Sequence, residues 1–339
     1  MRPAPSGPRF RKPRPSRLWN IPMIDRRHFL AAAAATALAP VLPAAARAPL
    51  SGSQVPGIYR RKLGDLEITA ILDGYVPLGA KSFSSTDPAT VGQLVAGAGL
   101  DESLPTSVNA FVVNSKDRTY LIDSGSGAWS GMGDTMGRAE ANLRAAGIEP
   151  AQIDTIILTH AHPDHHEGLL TAEKTARFPN AELVIHETEH AFWHDDGILS
   201  QAPAEAKPFF ASARGALAPY AARTRKVKAG EVAPGLMLEH APGHTPGHSI
   251  LRLSSGSQQL LLVGDSIHNI VLQTAQPEIA FVFDADAKQA AASRRRVLDM
   301  AAADKLVFSG AHIPFPGFGR VSKDGNGYRF ATADWSYTL

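Results

Sequence analysis

A dense run of histidines with one aspartate, directly after a short apolar segment, constrains this chain more than any other feature. Residues 155–158 predict a buried strand, and the chain then reads Thr159-His160-Ala161-His162-Pro163-Asp164-His165-His166. Side chains two positions apart in an extended segment point the same way, so His160 and His162 can reach one metal ion. Pro163 restricts the preceding residue and turns the chain, which lets Asp164 and His165 reach a second ion. This motif alone leaves a solvated histidine-rich loop open as the alternative.

Three further candidate ligands follow predicted strands, and they are His244, Asp265 and His312. Of the 13 histidines, 12 lie between His160 and His312. Functional groups of α/β proteins collect at the carboxyl ends of strands. Taken singly, each of the three has a structural reading, as a capping aspartate or a histidine satisfied in a turn. Their recurrence at strand ends favours a site for two divalent ions, expected to be Zn²⁺, with Fe, Mn or Co left open.

Composition narrows the classes of function. The chain has no cysteine, which excludes disulfides, thiolate ligands and a cysteine nucleophile. With 44% hydrophobic and 19% charged residues it can fill a sizeable core. Residues 1–48 hold nine Lys or Arg and one acid, which leaves 25 basic and 31 acidic residues in 49–339. The basic charge therefore belongs to the amino-terminal segment, and we expect no nucleic-acid partner.

Residues 1–48 predict a leader, and 49–339 a single domain. The segment Asp25-Arg26-Arg27-His28-Phe29-Leu30 precedes an Ala- and Leu-rich stretch and the small-x-small site Ala46-Arg47-Ala48. This order is typical of a signal peptide, and the paired arginines resemble a twin-arginine signal. The apolar run is shorter than the ~20 residues that span a bilayer, so we expect a periplasmic or secreted protein without a membrane anchor after processing. An amphipathic helix is the alternative, and Met1 or Met23 could be the true start.

The remaining sequence alternates between strand and helix patterns. Predicted strands are 57–63, 66–73, 108–114, 118–122, 155–158, 182–186, 235–241, 249–254, 258–264 and 306–311. Predicted helices are 136–146, 187–195, 204–219 and 286–303. Runs of strands followed by helices, twice over, indicate two sheets packed face to face with helices outside.

The order of these motifs resembles the metallo-β-lactamase superfamily, over essentially all of 57–339. The resemblance implies an α/β fold, an αββα sandwich with the site at one edge. It assigns one metal ion to His160, His162 and His244 and the other to Asp164, His165 and His312, with Asp265 bridging both. Asp123, in Leu121-Ile122-Asp123-Ser124-Gly125, matches an early aspartate that supports ligand histidines. His248 matches a motif residue that is not a ligand.

Two close divalent ions suggest how such a site would work. They would lower the pKa of a shared water toward neutrality, so that a bridging hydroxide attacks and no Ser or Cys nucleophile is needed. Asp164 or Asp265 can then pass a proton to the leaving group. The predicted reaction is hydrolysis of an ester, a lactone or a phosphotriester.

Within the superfamily the chain resembles the methyl parathion hydrolases and related lactonases. The matching stretches are Gly57–Arg60, Gly64–Ala70, Phe178–Ala181 and the end from Gly310 to Phe330. The resemblance implies a homodimer and an aromatic pocket wall, for which Trp193 and Phe209 are candidates, with Trp129 or Met132 as a third wall residue. Core packing is the alternative for Trp193 and Phe209. His268 lies near the bridging position, and its polarity favours a lactone or aryl ester over a bulky phosphotriester.

Other functions remain as alternatives. A true β-lactamase generally lacks the bridging carboxylate, and many use a cysteine ligand, so Asp265 and the absence of cysteine argue against it. A glyoxalase-type thioesterase fits the ligand set but fits the export signal less well. A non-catalytic periplasmic metal-binding module would need a lost or occupied open position, and no ligand is missing.

Overall fold

The computed structural model describes residues 48, 50–87, 89–127 and 132–339, and the fold occupies the compact unit Val55–Leu339. The leader prediction and Trp129 therefore fall outside the described residues, apart from Ala48. The strands are β1 (Ile58–Leu63), β2 (Leu66–Pro77), β3 (Phe83–Ser84), β4 (Pro105–Asn114), β5 (Thr119–Ile122), β6 (Thr155–Ile157), β7 (Glu182–His186), β8 (Thr224–Val227), β9 (Gly230–Ala233), β10 (Leu236–His240), β11 (Ser249–Ser255), β12 (Gln258–Leu262), β13 (Ala280–Phe281), β14 (Val307–Ser309), β15 (Gly319–Asp324) and β16 (Gly327–Thr332).

The α-helices lie mostly between strands or after them. They are α1 (Ala89–Gly97), α2 (Ala139–Ala145), α3 (Pro163–His166), α4 (Glu187–His194), α5 (Asp196–Gln201), α6 (Lys207–Leu217), α7 (Ile270–Ala275) and α8 (Ala287–Ala303). The longest, α8, begins where the Asp286 side chain accepts a hydrogen bond from the Gln289 amide, a standard N-terminal cap. Among the residues that the structure describes, no helix is long and apolar enough to cross a bilayer.

Two seven-stranded sheets form the centre of the fold. One runs β1-β2-β4-β5-β6-β7-β8 and the other β16-β15-β14-β12-β11-β10-β9. The first begins with a hairpin whose two-residue turn is Gly64-Asp65, and Gly64 adopts the positive φ of 56° that such a turn requires. In the first sheet β5 to β8 run parallel, and in the second β12 and β14 do. Their carboxyl ends therefore lie at one edge of each sheet.

Three apolar clusters show the layers. Ile68 and Phe111 of the first sheet pack with Leu251 of the second between the sheets. Outside the first sheet, Ile156 packs in a cluster with Phe210 of α6. Outside the second, the helix α8 packs through a third cluster that includes Val297, Leu298, Ile250 and Leu261. This arrangement confirms the predicted αββα sandwich.

All the predicted strands and helices form, with ends within four residues of the expected positions. Sequence patterns missed several elements, namely α1, α5, α7, β3, β8, β9, β13 and the hairpin of β15 and β16. The strand β8 has the sequence Thr-Arg-Lys-Val and forms the edge of its sheet. Because an edge strand is only partly buried, it lacks the apolar alternation by which a strand is recognised.

Candidate active site

Five loops, each following a strand, meet at one edge of the sandwich. They follow β5, β6, β10, β12 and β14 and carry Asp123, the His160–His165 motif, His244, Asp265 and His312. The motif histidines are positioned as predicted, because His162 precedes α3 with an extended backbone and Pro163 begins that helix. Residues separated by up to 189 positions, from Asp123 to His312, thereby reach one buried place.

The first group of candidate ligands comprises His160, His162, His244 and Asp265. Nδ1 of His162 lies 3.0 Å from Nε2 of His160 and 2.9 Å from Nε2 of His244. Oδ2 of Asp265 lies 3.6 Å and 3.3 Å from the same two Nε2 atoms. One ligand atom of each residue lies within 4.8 Å of the others, so the group can surround a single ion.

The second group comprises Asp164, His165 and His312. Oδ2 of Asp164 lies 3.5 Å from Nε2 of each histidine. Asp265 joins this group as well, since its Oδ1 lies 3.1 Å from Nε2 of His165 and its Oδ2 lies 3.0 Å from Nε2 of His312. The Asp265 carboxylate thus stands between the two groups.

The polar atoms of this site are better suited to binding metal ions than to hydrogen bonding with one another. Nε2 of His165 and Oδ1 of Asp265 are buried and face each other, yet neither has a hydrogen-bond partner. A buried polar atom without a partner is costly and calls for an explanation. Imidazole nitrogens and carboxylate oxygens are the donors that Zn²⁺ and similar ions prefer. The donor set present can therefore hold two divalent ions, one in each group.

The protonation of the metal-free site follows from burial and charge. Burial, followed by the charges of neighbouring histidines, holds the pKa of His160 and His162 well below the usual range, so both are neutral. Burial opposes protonation of His244, but hydrogen bonds to Asp265 and Asp284 outweigh it and raise its pKa to about 9. Because ligand imidazoles must be neutral, metal binding has to displace a proton from His244.

Asp123 lies behind the second group and bonds to one of its histidines. Its Oδ2 lies 2.9 Å from Nδ1 of His165 and also accepts a hydrogen bond from the Thr159 hydroxyl. Its Oδ1 accepts from the Thr159 amide. His248 is likewise no ligand, since its Nε2 accepts a hydrogen bond from the backbone amide of Asp265. It fixes the loop that carries the Asp265 carboxylate.

Sequence reasoning missed Asp284, which lies 3.1 Å from Nδ1 of His244 through its Oδ1. Burial would raise the pKa of Asp284, but the hydrogen bond to His244 and neighbouring cations lower it to about 2. The fully buried Arg294 lies 3.5 Å from its other oxygen. In the sequence Asp284 reads only as a loop residue before a helix, so no local signal distinguishes it.

An apolar cavity of about 570 Å³, here called the catalytic chamber, opens onto the candidate ligands. His162, Asp164, His244, Asp265 and His312 line its floor. Its walls include Leu78, Met132, Phe209, Phe281 and Phe283. A second cavity of about 610 Å³, the aromatic chamber, adjoins it at His162, His244, Phe209 and Phe283. The rings of Phe209 and Phe283 meet edge to face at 6.2 Å and stand at the boundary.

The four predicted pocket residues that the structure describes occupy different positions around the two chambers. Phe209 lines both chambers. Trp193 is only 3% exposed, lines the aromatic chamber and packs edge-on against His162 at 5.6 Å. His268 is buried beside the ligands, with Nε2 3.2 Å from Oδ2 of Asp265 and its ring stacked on Phe281 at 3.8 Å. Met132, one of the two candidates for a third wall residue, lines the catalytic chamber, and the other, Trp129, lies outside the described residues.

Comparison with known proteins gives consistent matches. The model of the family described as the metallo-beta-lactamase superfamily matches residues 104–312. A curated N-acyl homoserine lactonase from a Bacillus species is 28% identical over 176 residues, or 50% of this chain. The match spans 60% of that relative's length.

Among solved structures, a hydrolase named AbOPH of the beta-lactamase superfamily is 32% identical with a TM-score of 0.79. AidC, described as a dizinc quorum-quenching lactonase in complex with an N-hexanoyl-L-homoserine product, is 26% identical with a TM-score of 0.78. Each alignment covers 84% of this chain and 100% of the other.

Proposed function

The chain belongs to the metallo-β-lactamase superfamily and is a metal-dependent hydrolase, and from this premise we propose that it cleaves lactones or aryl esters with two divalent ions. The observation that carries the proposal is the Asp265 carboxylate between two complete ligand groups, at the floor of an apolar chamber. Its similarity to proteins described as N-acyl homoserine lactonases supports a lactone substrate.

The catalytic chamber suits a small neutral ester. Its volume of about 570 Å³ lies within the ~300–1,000 Å³ typical of small-molecule sites. Its walls are aliphatic and aromatic, and the polar groups are concentrated on the floor. An apolar ring or chain can therefore fill the chamber while the carbonyl reaches the His and Asp groups.

The aromatic chamber favours a substrate with a hydrocarbon tail. It is lined by Phe192, Trp193, Ile198 and Phe210 and adjoins the catalytic chamber at Phe209 and Phe283. AidC is described in complex with a product that carries a six-carbon acyl group. A tail of similar size on a substrate of this chain would enter the aromatic chamber while the lactone ring stays at the floor.

The residues of the floor have distinct tasks in the proposed hydrolysis. Bound at the two groups, divalent ions would supply Lewis acidity and lower the pKa of water toward neutrality. Asp164 lines the chamber with 14% of its side chain exposed, so its carboxylate can accept a proton and return it to the leaving oxygen. Burial would raise the pKa of Asp164, but the charges of His165 and His312 lower it, so that the carboxylate is ionised. The apolar walls exclude competing water.

A substrate panel tests this proposal. The metal-replete protein is assayed on an N-acyl homoserine lactone, an aryl lactone, methyl parathion and a cephalosporin, each with a chelator-treated control. We expect chelator-sensitive turnover of the lactones far above the other two. Dominant phosphotriester turnover would contradict the role given to His268, and dominant cephalosporin turnover would support a β-lactamase. Two bound ions without turnover of any of these substrates would favour a thioesterase or a non-catalytic module.

The amino-terminal segment supports a second part of the proposal, export to the periplasm or beyond. A third part, assembly as a homodimer, rests on the resemblance to the methyl parathion hydrolases and related lactonases. Arg26 and Arg27 precede the apolar stretch, and Ala46-Arg47-Ala48 offers a cleavage site. Mass spectrometry of the exported protein should find an amino terminus near Pro49. Replacing both arginines with lysine should retain the uncleaved chain in the cytoplasm. Sedimentation of the mature protein tests the dimer.

A further inference from the structure

A carboxylate with no assigned role, that of Glu189, lies beneath the first ligand group. It projects from α4 and is 0% exposed. Burying a charged carboxylate is costly unless hydrogen bonds satisfy its oxygens. Four donors do so here, two at each oxygen.

Each oxygen of Glu189 bonds to a different part of the site. Oε1 accepts hydrogen bonds from the Ala161 amide at 2.9 Å and from Nε1 of Trp193 at 2.7 Å. Oε2 accepts from the Thr245 hydroxyl at 2.6 Å and from the Gly247 amide at 3.0 Å. A single side chain thus joins the loop after β6 to the loop after β10.

These two loops are the ones that carry all three histidines of the first group. Ala161 lies between His160 and His162, and Thr245 follows His244 directly. The backbone also comes close, since a Cβ added at Gly247 would lie 2.1 Å from the Glu189 amide nitrogen. None of the four bonds involves Asp164, His165 or His312.

We propose that Glu189 is a positioning residue that sets the metal affinity of the first group and leaves that of the second unchanged. This inference rests on the metal centre of the proposed function. It complements Asp123, which directly bonds to a histidine of the second group. Residues that hold metal ligands in place typically change metal affinity by about 10–100-fold when they are replaced.

The replacement Glu189→Gln tests the bonds with little change of shape. Either orientation of the amide places an NH₂ group against a backbone N–H donor, that of Ala161 or that of Gly247, so at least one bond is lost. The matched control is Glu187→Gln, an exposed acid on the same helix that lies 3.8 Å from Lys228.

Zn²⁺ affinity is measured by chelator competition in two backgrounds that each retain one group. In His312→Ala the first group remains, and we expect Glu189→Gln to weaken binding about tenfold or more. In His162→Ala the second group remains, and we expect a change within about twofold. Glu187→Gln should change neither affinity. Equal weakening in both backgrounds, or no weakening in His312→Ala, would overturn the proposal.

A second variant keeps the test decisive if Glu189→Gln does not fold, as judged by circular dichroism. Thr245→Val removes one bond to Oε2 and should weaken the first group about fivefold, again only in His312→Ala. An unchanged affinity there would overturn the proposal. Because the readout is metal affinity, a protein that binds both ions but hydrolyses no lactone contradicts the proposed substrate and not the role of Glu189.

Discussion

Oδ2 of Asp123 lies 2.9 Å from Nδ1 of His165, while Nε2 of the same imidazole faces Asp265 at 3.1 Å. One histidine is thereby held between the carboxylates of Asp123 and Asp265. Asp123 adopts a positive φ of 56°, a conformation that aspartate tolerates better than most residues. The backbone thus turns at Asp123, directly after β5 ends at Ile122.

Asp123→Asn should weaken the second group, because the amide is uncharged and its NH₂ is a donor where the carboxylate accepts. Asparagine also tolerates positive φ, so the fold should persist. We expect an affinity loss of about 10–100-fold for one of two ions and a similar loss of turnover. Chelator titration followed by metal analysis measures it, with Asp117→Asn in an exposed turn as control. Two tightly bound ions in the variant would refute the supporting role.

Asp265→Ala should abolish turnover, because it removes the carboxylate shared by both groups. We expect fewer than two bound ions per chain and a decrease in kcat/KM of at least about a hundredfold, more than loss of a supporting residue causes. Metal analysis after dialysis and a lactonase assay give the two readouts. Asp304→Ala, at an exposed position, is the control. Retention of both ions with full turnover would rule out the bridging assignment.

Ala206→Phe should narrow the aromatic chamber, which Ala206 lines. Each methylene that a tail can no longer bury costs about 0.8 kcal/mol, so losing two raises KM by roughly tenfold. We therefore expect KM to rise for a ten-carbon acyl lactone and to stay constant for a four-carbon one. Ala211→Phe, at an exposed position on α6, the helix that begins directly after Ala206, controls for the added ring. Equal KM changes for both substrates would mean that tails bind elsewhere.

His268→Ala should shift selectivity away from lactones. The change removes a polar ring 3.2 Å from Asp265 and leaves apolar space beside Phe281. We expect the ratio of lactone to phosphotriester turnover to decrease about tenfold. A tenfold change corresponds to about 1.4 kcal/mol of activation free energy, which is the size expected for the loss of one polar contact. His194→Ala, at an exposed position, serves as control. An unchanged ratio would remove His268 from the determinants of specificity.

His190→Gln should make the metal-free protein more resistant to acid. Burial, followed by the charges of His194 and Lys226, lowers the pKa of His190 to about 4. The unfolded chain, with a pKa near 6.5, takes up the proton first, so stability is lost as the pH falls from about 6.5 toward 4. At pH 4.5, after allowance for solvent screening, we expect the variant to have lost about 1 kcal/mol less of its free energy of unfolding than the unmodified protein. Urea unfolding at pH 7 and pH 4.5 measures this, and an identical loss in both proteins would contradict it.

The sequence predicted the strands whose carboxyl ends carry the candidate metal ligands. An apolar strand pattern followed directly by His160, Asp265 or His312 is local, and strand direction alone places such residues at the edge of a sheet. The order of the motifs then indicated the αββα sandwich and the two ligand groups that the structure brings together. Edge elements such as β8 escaped prediction because partial burial removes their apolar alternation.

The sequence by itself therefore determined which residues are the candidate metal ligands. A residue's type and its position at the end of a strand are both properties of a few neighbouring positions. Only the tertiary structure decided what surrounds them. Glu189 bonds to Ala161 and Thr245, 28 and 56 positions away, and Asp284 reaches His244 across 40. Such contacts, like the shared wall of Phe209 and Phe283, arise from packing between distant segments. No local pattern encodes these contacts, because hydrogen-bond partners and cavities depend on how the sheets and helices pack together.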